Sequence, residues 1–315
     1  MLNVQRKLKA FKFTPEFLFR LMITCCLLFF TVNFINAQDN SPYSRYGIGD
    51  LQPKTNIFNR AMGDISAAYS ELPPDYYNNP AIGSSYPSIN FSNPASYSRF
   101  FTRKEPRTGK LALGRILLDA GFDFDSRTLR QPDKPEKFTS NNIFISYIQM
   151  GVPLKKNWGA VFGIKPVSRI YYKIDNRERL YDPYTGLPID SASTIFAGDG
   201  GTYLVNMGTG YAIKNFSIGI NAGYFFGNKS YSTRRTLIND SVAYYSSNHQ
   251  TRASIDGFYF DGGMQYHAPL NKQRTKYLQL GVYGNIKQEF NARSDIYRES
   301  YFLGSDGGIN QLDSV

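Results

Sequence analysis

The side chains that could do acid–base, nucleophilic or metal chemistry are few, and they form no recognised motif. Neither of the two histidines, His249 and His267, belongs to the His-Glu-x-x-His pattern of zinc hydrolases. The sequence has no Gly-x-Ser-x-Gly elbow and no phosphate-binding P-loop. Asp123 and Asp125 lack the further oxygen ligands of a calcium loop. We therefore expect no enzyme activity, no metal and no cofactor.

The charge distribution does not indicate a nucleic-acid partner. The net charge is +11, but the basic residues are scattered and form no long run. Basic loops facing acidic lipid or lipopolysaccharide would explain the charge, and so would solubility alone. We expect contact with outer-membrane lipids and no nucleic acid.

Residues 1–37 are predicted to be a signal peptide. Arg6, Lys7 and Lys9 precede an apolar run from Leu21 to Val32, which is too short for a spanning helix. An N-terminal membrane anchor is the alternative. Cys25 and Cys26 are the only cysteines, so the mature chain would contain no disulfide and no reactive thiol.

The stretch from Phe216 to Phe226 alternates between bulky apolar residues and small or polar ones. A period of two is typical of a strand that separates two media, and this stretch is long enough to cross a bilayer. Similar alternation occurs over Trp158–Ile164, Tyr203–Tyr211, Phe258–Tyr266 and Leu278–Ile286. Less regular strands are predicted over Ser88–Tyr97, Lys110–Asp125 and Asn141–Val152.

Short polar turns alternate with long polar segments such as Asp175–Gly201 and Lys229–Arg252. This layout is typical of outer-membrane barrels, so we predict an all-β, transmembrane antiparallel β-barrel over residues 88–315, in the bacterial outer membrane. A soluble β-sandwich is the alternative, but its outer faces would carry more Lys and Glu. In a barrel, the small or polar face would line the lumen, with Ser217, Asn221, Asp261 and Gln265 as candidate residues.

Residues 38–87 do not alternate, and we predict that they form an N-terminal hatch, or plug, inside the barrel. Helical spacing of Phe58, Ala61, Met62, Ile65 and Tyr69 predicts a short helix over Asn56–Ser70. An eight-stranded barrel has no room for a plug. We therefore expect a wider barrel of which this chain is the N-terminal portion; a complete eight-stranded barrel with a disordered tail is the alternative.

Three short motifs resemble the hatch signature of the long-chain fatty-acid transporter family, FadL/TodX. They are Arg60-Ala61-Met62-Gly63, Ala67-Ala68 and Asn79-Pro80-Ala81, and the start at Ser41–Asp50 is also similar. The resemblance implies a barrel of about 14 strands whose plug is shaped by Arg60, Met62, Gly63, Asn79, Pro80 and Ala81.

The same resemblance implies passive passage of a hydrophobic small-molecule ligand, such as a fatty acid. A FadL-like branch serves protein secretion. The alternatives are therefore a component of a protein-secretion or surface-assembly system, with a secretion-system partner, and a structural barrel without transport.

Overall fold

A computed structural model describes residues 41–69, 88–100, 103–104, 111–112, 116–130, 135, 137–238, 245–271, 276–303 and 309–314. The chain divides into two compact units, Met1–Gln38 and Asp39–Val315, and every described residue belongs to the second. The predicted signal peptide, residues 1–37, lies outside the described residues. In the described part, no helix is long and apolar enough to cross a membrane.

Antiparallel strands form most of the described structure. The strands are β1 (Asp50–Leu51), β2 (Arg103–Lys104), β3 (Leu111–Ala112), β4 (Leu117–Arg130), β5 (Lys137–Lys155), β6 (Trp158–Tyr181), β7 (Pro188–Ile213), β8 (Phe216–Leu237), β9 (Ser246–Pro269), β10 (Tyr277–Gly284), β11 (Asn291–Leu303) and β12 (Ile309–Ser314). One α-helix, α1 (Ile57–Ala61), and 3₁₀ helices at Pro42–Arg45 and Pro94–Arg99 complete the elements.

The main sheet is a meander in which neighbours in space follow the order of the chain. It runs from β4 through β9 to β11 and β12, while β10 pairs with the other half of β9. The sheet curls into a half-barrel with β4 and β12 at its two ends. The all-β, antiparallel part of the predicted fold is confirmed; barrel closure, a count of about 14 strands and the hatch stay predictions.

The two faces of the sheet differ in chemistry, as the alternation predicts. The register aligns Met150, Phe162, Met207, the half-buried Ala222 and Phe260 in one row, and the four large side chains are 39–56% exposed. On the opposite face, here called the inner face, Ser217 and Asn221 of β8 are buried. A continuous exposed band of apolar side chains is unusual for a soluble protein and typical of a surface that contacts lipid.

The long polar segments are extensions of strands rather than loops. β6 continues to Tyr181 and β7 begins at Pro188, so most of the predicted loop Asp175–Gly201 is a paired hairpin. β8 and β9 extend in the same way through most of Lys229–Arg252. Polar residues occupy both faces there, so the apolar period of two that identifies a strand is missing.

The predicted strand Ser88–Tyr97 is wrong, because this segment forms a turn followed by the 3₁₀ helix Pro94–Arg99. Pro94 favours the first helical position, where a missing N–H costs nothing. The predicted helix over Asn56–Ser70 is only α1, because the chain turns at Gly63 and Asp64, whose φ angles are 75° and 64°. We call residues 41–69 and 88–100 the inner segments, because they pack on the inner face of the sheet.

Strands β5 and β6 are paired along only part of their length. These strands pair only from Ile148 to Lys155 and from Trp158 to Ile164. Beyond Ile164, the free edge of β6 is covered by the first inner segment: the Ser41 amide donates to Tyr171 O at 3.1 Å and the Gln52 amide to Val167 O at 2.9 Å.

Candidate functional site

A row of four glycines creates the groove that holds the second inner segment. Gly159, Gly210, Gly219 and Gly263 are register partners on β6, β7, β8 and β9. A Cβ on Gly219 would lie 2.3 Å from the carbonyl carbon of Pro94, and a Cβ on Gly210 would lie 2.5 Å from the Pro94 oxygen. Backbone therefore packs directly on backbone along this row. We call these four residues the glycine row.

Asn93-Pro94-Ala95 is the part of the inner segments that lies on the glycine row. Asn93 Oδ1 accepts from the Ala95 amide at 3.1 Å and caps the 3₁₀ helix. Its Nδ2 donates to Ala67 O at 2.6 Å and lies 3.3 Å from Met264 O. One fully buried side chain thus joins both inner segments to β9. This triplet was not predicted from the sequence, although it repeats the Asn-Pro-Ala of residues 79–81.

A small apolar core lies between the second inner segment and β4–β6. Its members are Ile89, Phe91, Tyr97, Tyr147 and Val161, all almost fully buried. Burial raises the pKa of the Tyr97 phenol. Asn56 Nδ2 donates to Ile89 O at 2.9 Å, so the two inner segments also hold each other. The inner segments are a packed part of the fold.

The four candidate lumen residues all lie on the face that carries the inner segments. Gln265 Nε2 donates to Ala67 O and Tyr69 O, each at 3.0 Å, so it binds an inner segment directly. Asn221 Nδ2 donates to Asp261 Oδ1 at 2.8 Å. Ser217 is fully buried. The structure therefore places Ser217, Asn221, Asp261 and Gln265 together, while their assignment to a lumen stays a prediction.

Arg60 joins the first inner segment to the wall. Its Nη1 lies 2.5 Å from Asp123 Oδ1 of β4, and its Nη2 donates to Ser146 Oγ of β5. The Ser146 hydroxyl in turn donates to Asp123 Oδ2 at 2.8 Å. Asp125 pairs with Arg127 at 2.6 Å. Both carboxylates that could have approached a calcium ion are therefore engaged with arginines.

Two of the other proposed hatch residues, Met62 and Gly63, directly follow α1. Met62 is 44% exposed. Gly63 has φ 75°, and a Cβ there would meet no atom of the described residues within 4 Å. A glycine suits this position because of its backbone conformation and not because another backbone comes close. Asn79, Pro80 and Ala81 lie outside the described residues.

The contacts of the site hold the inner segments in place. Across the described residues, no group of three His, Cys, Asp or Glu side chains could hold a metal ion. His249 is exposed on β9 and not in a loop, whereas His267 is buried and its Nδ1 lies 2.9 Å from Gln279 Nε2. What the site can do is hold the inner segments against the sheet.

Comparison with known proteins identifies a family for the chain. A family model described as BamG matches residues 18–314, almost the whole chain. No curated protein and no solved structure matches. The predicted membership of the FadL/TodX family is therefore wrong: the motifs behind it are short, and Arg60 and Gly63 each have a local structural role here. The chain belongs to the BamG family.

Proposed function

We propose that this protein is a bacterial outer-membrane component of a surface-assembly system and that its partner is the BAM complex. The BamG family name, which is associated with that complex, supports the partner. The observation that carries the membrane placement is the row of exposed apolar residues on the outer face, which continues from β5 through β9. No catalytic step is part of this proposal.

The exposed apolar residues form a band beside the short turns. On β8 the band runs from Phe216 to Tyr224, and the far end of the strand is polar. A tilted spanning strand needs about 9–11 residues. β7 has 26 residues, so a strand of this sheet would cross the bilayer near its short-turn end and project beyond it at the other end.

We also propose that the sheet is one side of a closed barrel and that the inner segments are its hatch. An unpaired edge facing lipid would cost several kcal/mol for each orphaned backbone group, by the order of magnitude expected in hydrocarbon. The inner segments need more space than an eight-stranded barrel provides. A barrel of about 14 strands would meet that need, with residues 1–37 as signal peptide, residues 38–87 and the adjoining residues 88–100 in the hatch, and the strands following to residue 315.

Passage of hydrophobic small molecules is not part of the proposal. It was implied by the FadL/TodX resemblance, which the family match replaces. The inner face also offers no support for it, because Tyr97 and Asn93 are fully buried against the glycine row. A role in assembly needs no open lumen.

Photo-crosslinking in living cells tests the partner. A photoreactive residue at Tyr184, which is 96% exposed in the turn between β6 and β7, samples the projecting end. A second one at Lys156, in the turn between β5 and β6, samples the short-turn end. We expect BAM proteins to be captured at one of these ends and not by an unrelated outer-membrane barrel carrying the same residue. Capture at background level from both ends would overturn the proposed partner.

A further inference from the structure

The short turns of the sheet carry only basic charge. The lysines are Lys155 at the end of β5, Lys156 between β5 and β6, Lys214 between β7 and β8, and Lys276 before β10, and all four are exposed. Residues 153–158, 211–216 and 269–277 include no Asp or Glu. We call these four lysines the basic rim.

The basic rim lies at the edge of the apolar band. Trp158 and Tyr211 are register partners on the outer face, immediately next to two of the turns. The Lys155 Nζ lies 5.8 Å from the centre of the Trp158 ring. Aromatic residues at band edges sit at the level of lipid headgroups in membrane barrels. The rim ammonium groups would lie at that level or just beyond it.

Lys214 occupies its turn position at a conformational cost. Its φ is 54°, in the left-handed region that favours glycine and asparagine. The turn between β5 and β6 uses Asn157 at its own left-handed position, with φ 64°. Asparagine would therefore suit the backbone at position 214 better than lysine does. A lysine at a position where asparagine would be less strained indicates that the lysine side chain has a role there.

We infer that the basic rim binds the phosphate headgroups of anionic phospholipid in the leaflet at the short-turn end. This inference rests on the proposed membrane placement. Ammonium groups bind phosphate as point charges. Lysine is depleted where proteins bury an interface, so four exposed lysines beside outward aromatic residues fit headgroups better than a protein surface.

Reconstitution tests the inference with one lipid. The protein is placed in nanodiscs of phosphatidylcholine with or without phosphatidylglycerol, and bound phosphatidylglycerol is measured by native mass spectrometry. A lysine near an anionic surface contributes about 1 kcal/mol, or about a fivefold change in affinity. We expect Lys214→Asn to lower the affinity for phosphatidylglycerol about fivefold while it raises the thermal unfolding midpoint. Lys214→Arg should retain binding. Lys137→Asn, at the opposite end of β5, should leave the affinity for phosphatidylglycerol unchanged.

Unchanged affinity in Lys214→Asn, or an equal loss in Lys137→Asn, would overturn the inference. So would full competition by inorganic phosphate, which would indicate a site for the free ion. The rim would be assigned to a protein partner instead if Lys214→Asn bound phosphatidylglycerol as well as the unchanged protein does but lost crosslinks to an acidic protein in cells. A chain that never enters the nanodisc contradicts the membrane placement itself, whereas a chain that enters without preferring phosphatidylglycerol contradicts only the lipid site.

Discussion

At the scale of single residues, the glycine row determines where the second inner segment can lie. A side chain larger than hydrogen at Gly210 or Gly219 would occupy the space of the Pro94 carbonyl group. The constraint is steric and comes from backbone atoms, which cannot rotate away as the end of a flexible side chain can. The second inner segment can therefore pack at this place only because the sheet has glycine there.

Gly219→Ala should destabilise the protein by about 1–3 kcal/mol, as expected for overpacking of a filled site. Gly262→Ala is the matched control, because a Cβ there would meet only the Gly219 oxygen, at an ordinary 3.7 Å. The free energy of unfolding in urea, measured in detergent micelles, checks both variants. Equal stability of the two would mean that the inner segment does not rest on the glycine row.

The Arg60–Asp123 pair should couple in a double-mutant cycle. The two side chains are only 20% and 17% exposed, so removing one partner leaves a poorly solvated charge. We expect Arg60→Met and Asp123→Asn to couple by about 1–2 kcal/mol. The Lys287–Glu289 pair, at 4.0 Å and 90% exposed on both sides, is the control and should couple by less than about 0.5 kcal/mol. Similar coupling in both cycles would contradict a structural role for Arg60.

Individual residues were predictable where a short motif or the alternation of a strand marked them. Arg60 stood out within Arg-Ala-Met-Gly, and the structure gives it contacts on β4 and β5. Asn93 was missed, because its importance comes from partners far along the chain, at Ala67 and Met264. No local pattern contains that information, although the repeated Asn-Pro-Ala was available as a signal.

At the scale of elements, β8 shows how one strand can serve two environments. Ile220, near the short-turn end, is 61% exposed within the apolar band, and Ile238, just beyond the other end, is 51% exposed. The residue type and exposure are similar, so the difference between them is position along the strand.

Ile220→Lys should therefore cost about 2–4 kcal/mol of stability in a bilayer, the range for a lysine near the midplane on the lipid face. Ile238→Lys should change stability by less than about 0.5 kcal/mol, as for an ordinary surface position. Urea unfolding from lipid vesicles measures both. If the two substitutions cost the same, the apolar band does not contact lipid.

Strands were predictable where apolar and small residues alternate, and the less regular strand predicted over Asn141–Val152 also lies inside β5. The stretch Phe216–Phe226 lies inside β8 with the predicted faces. The polar half of β8 was not recognised, since its stability comes from pairing with β7 and β9. Ile89 and Phe91 alternate like a strand, but Pro94 and the cap at Asn93 turn the chain into a 3₁₀ helix. Tertiary packing on the glycine row overrides the local pattern there.

At the scale of the whole molecule, the two ends of the sheet should face opposite sides of the membrane. Short turns of outer-membrane barrels face the periplasm. The sequence after residue 37 has no cysteine, so single introduced cysteines can report on each end. Tyr184→Cys should react with a membrane-impermeant maleimide in intact cells, and Lys156→Cys only after permeabilisation. The reverse labelling would contradict the proposed orientation, and labelling of both in intact cells would contradict a spanning sheet.

The inner segments also constrain the order in which the molecule can fold. Residues near the start of the chain find their partners late in it: Ser66 Oγ lies 3.1 Å from the Tyr283 hydroxyl, and Asn93 Nδ2 lies 3.4 Å from Val282 O. Closing such long loops costs entropy before any contact repays it, and topologies of this kind fold slowly. Until β9 and β10 have formed, the glycine row lacks Gly263 and the inner segments have no partners on that side of the sheet. We therefore expect the chain to refold slowly and to need protection from aggregation until β9 and β10 have paired.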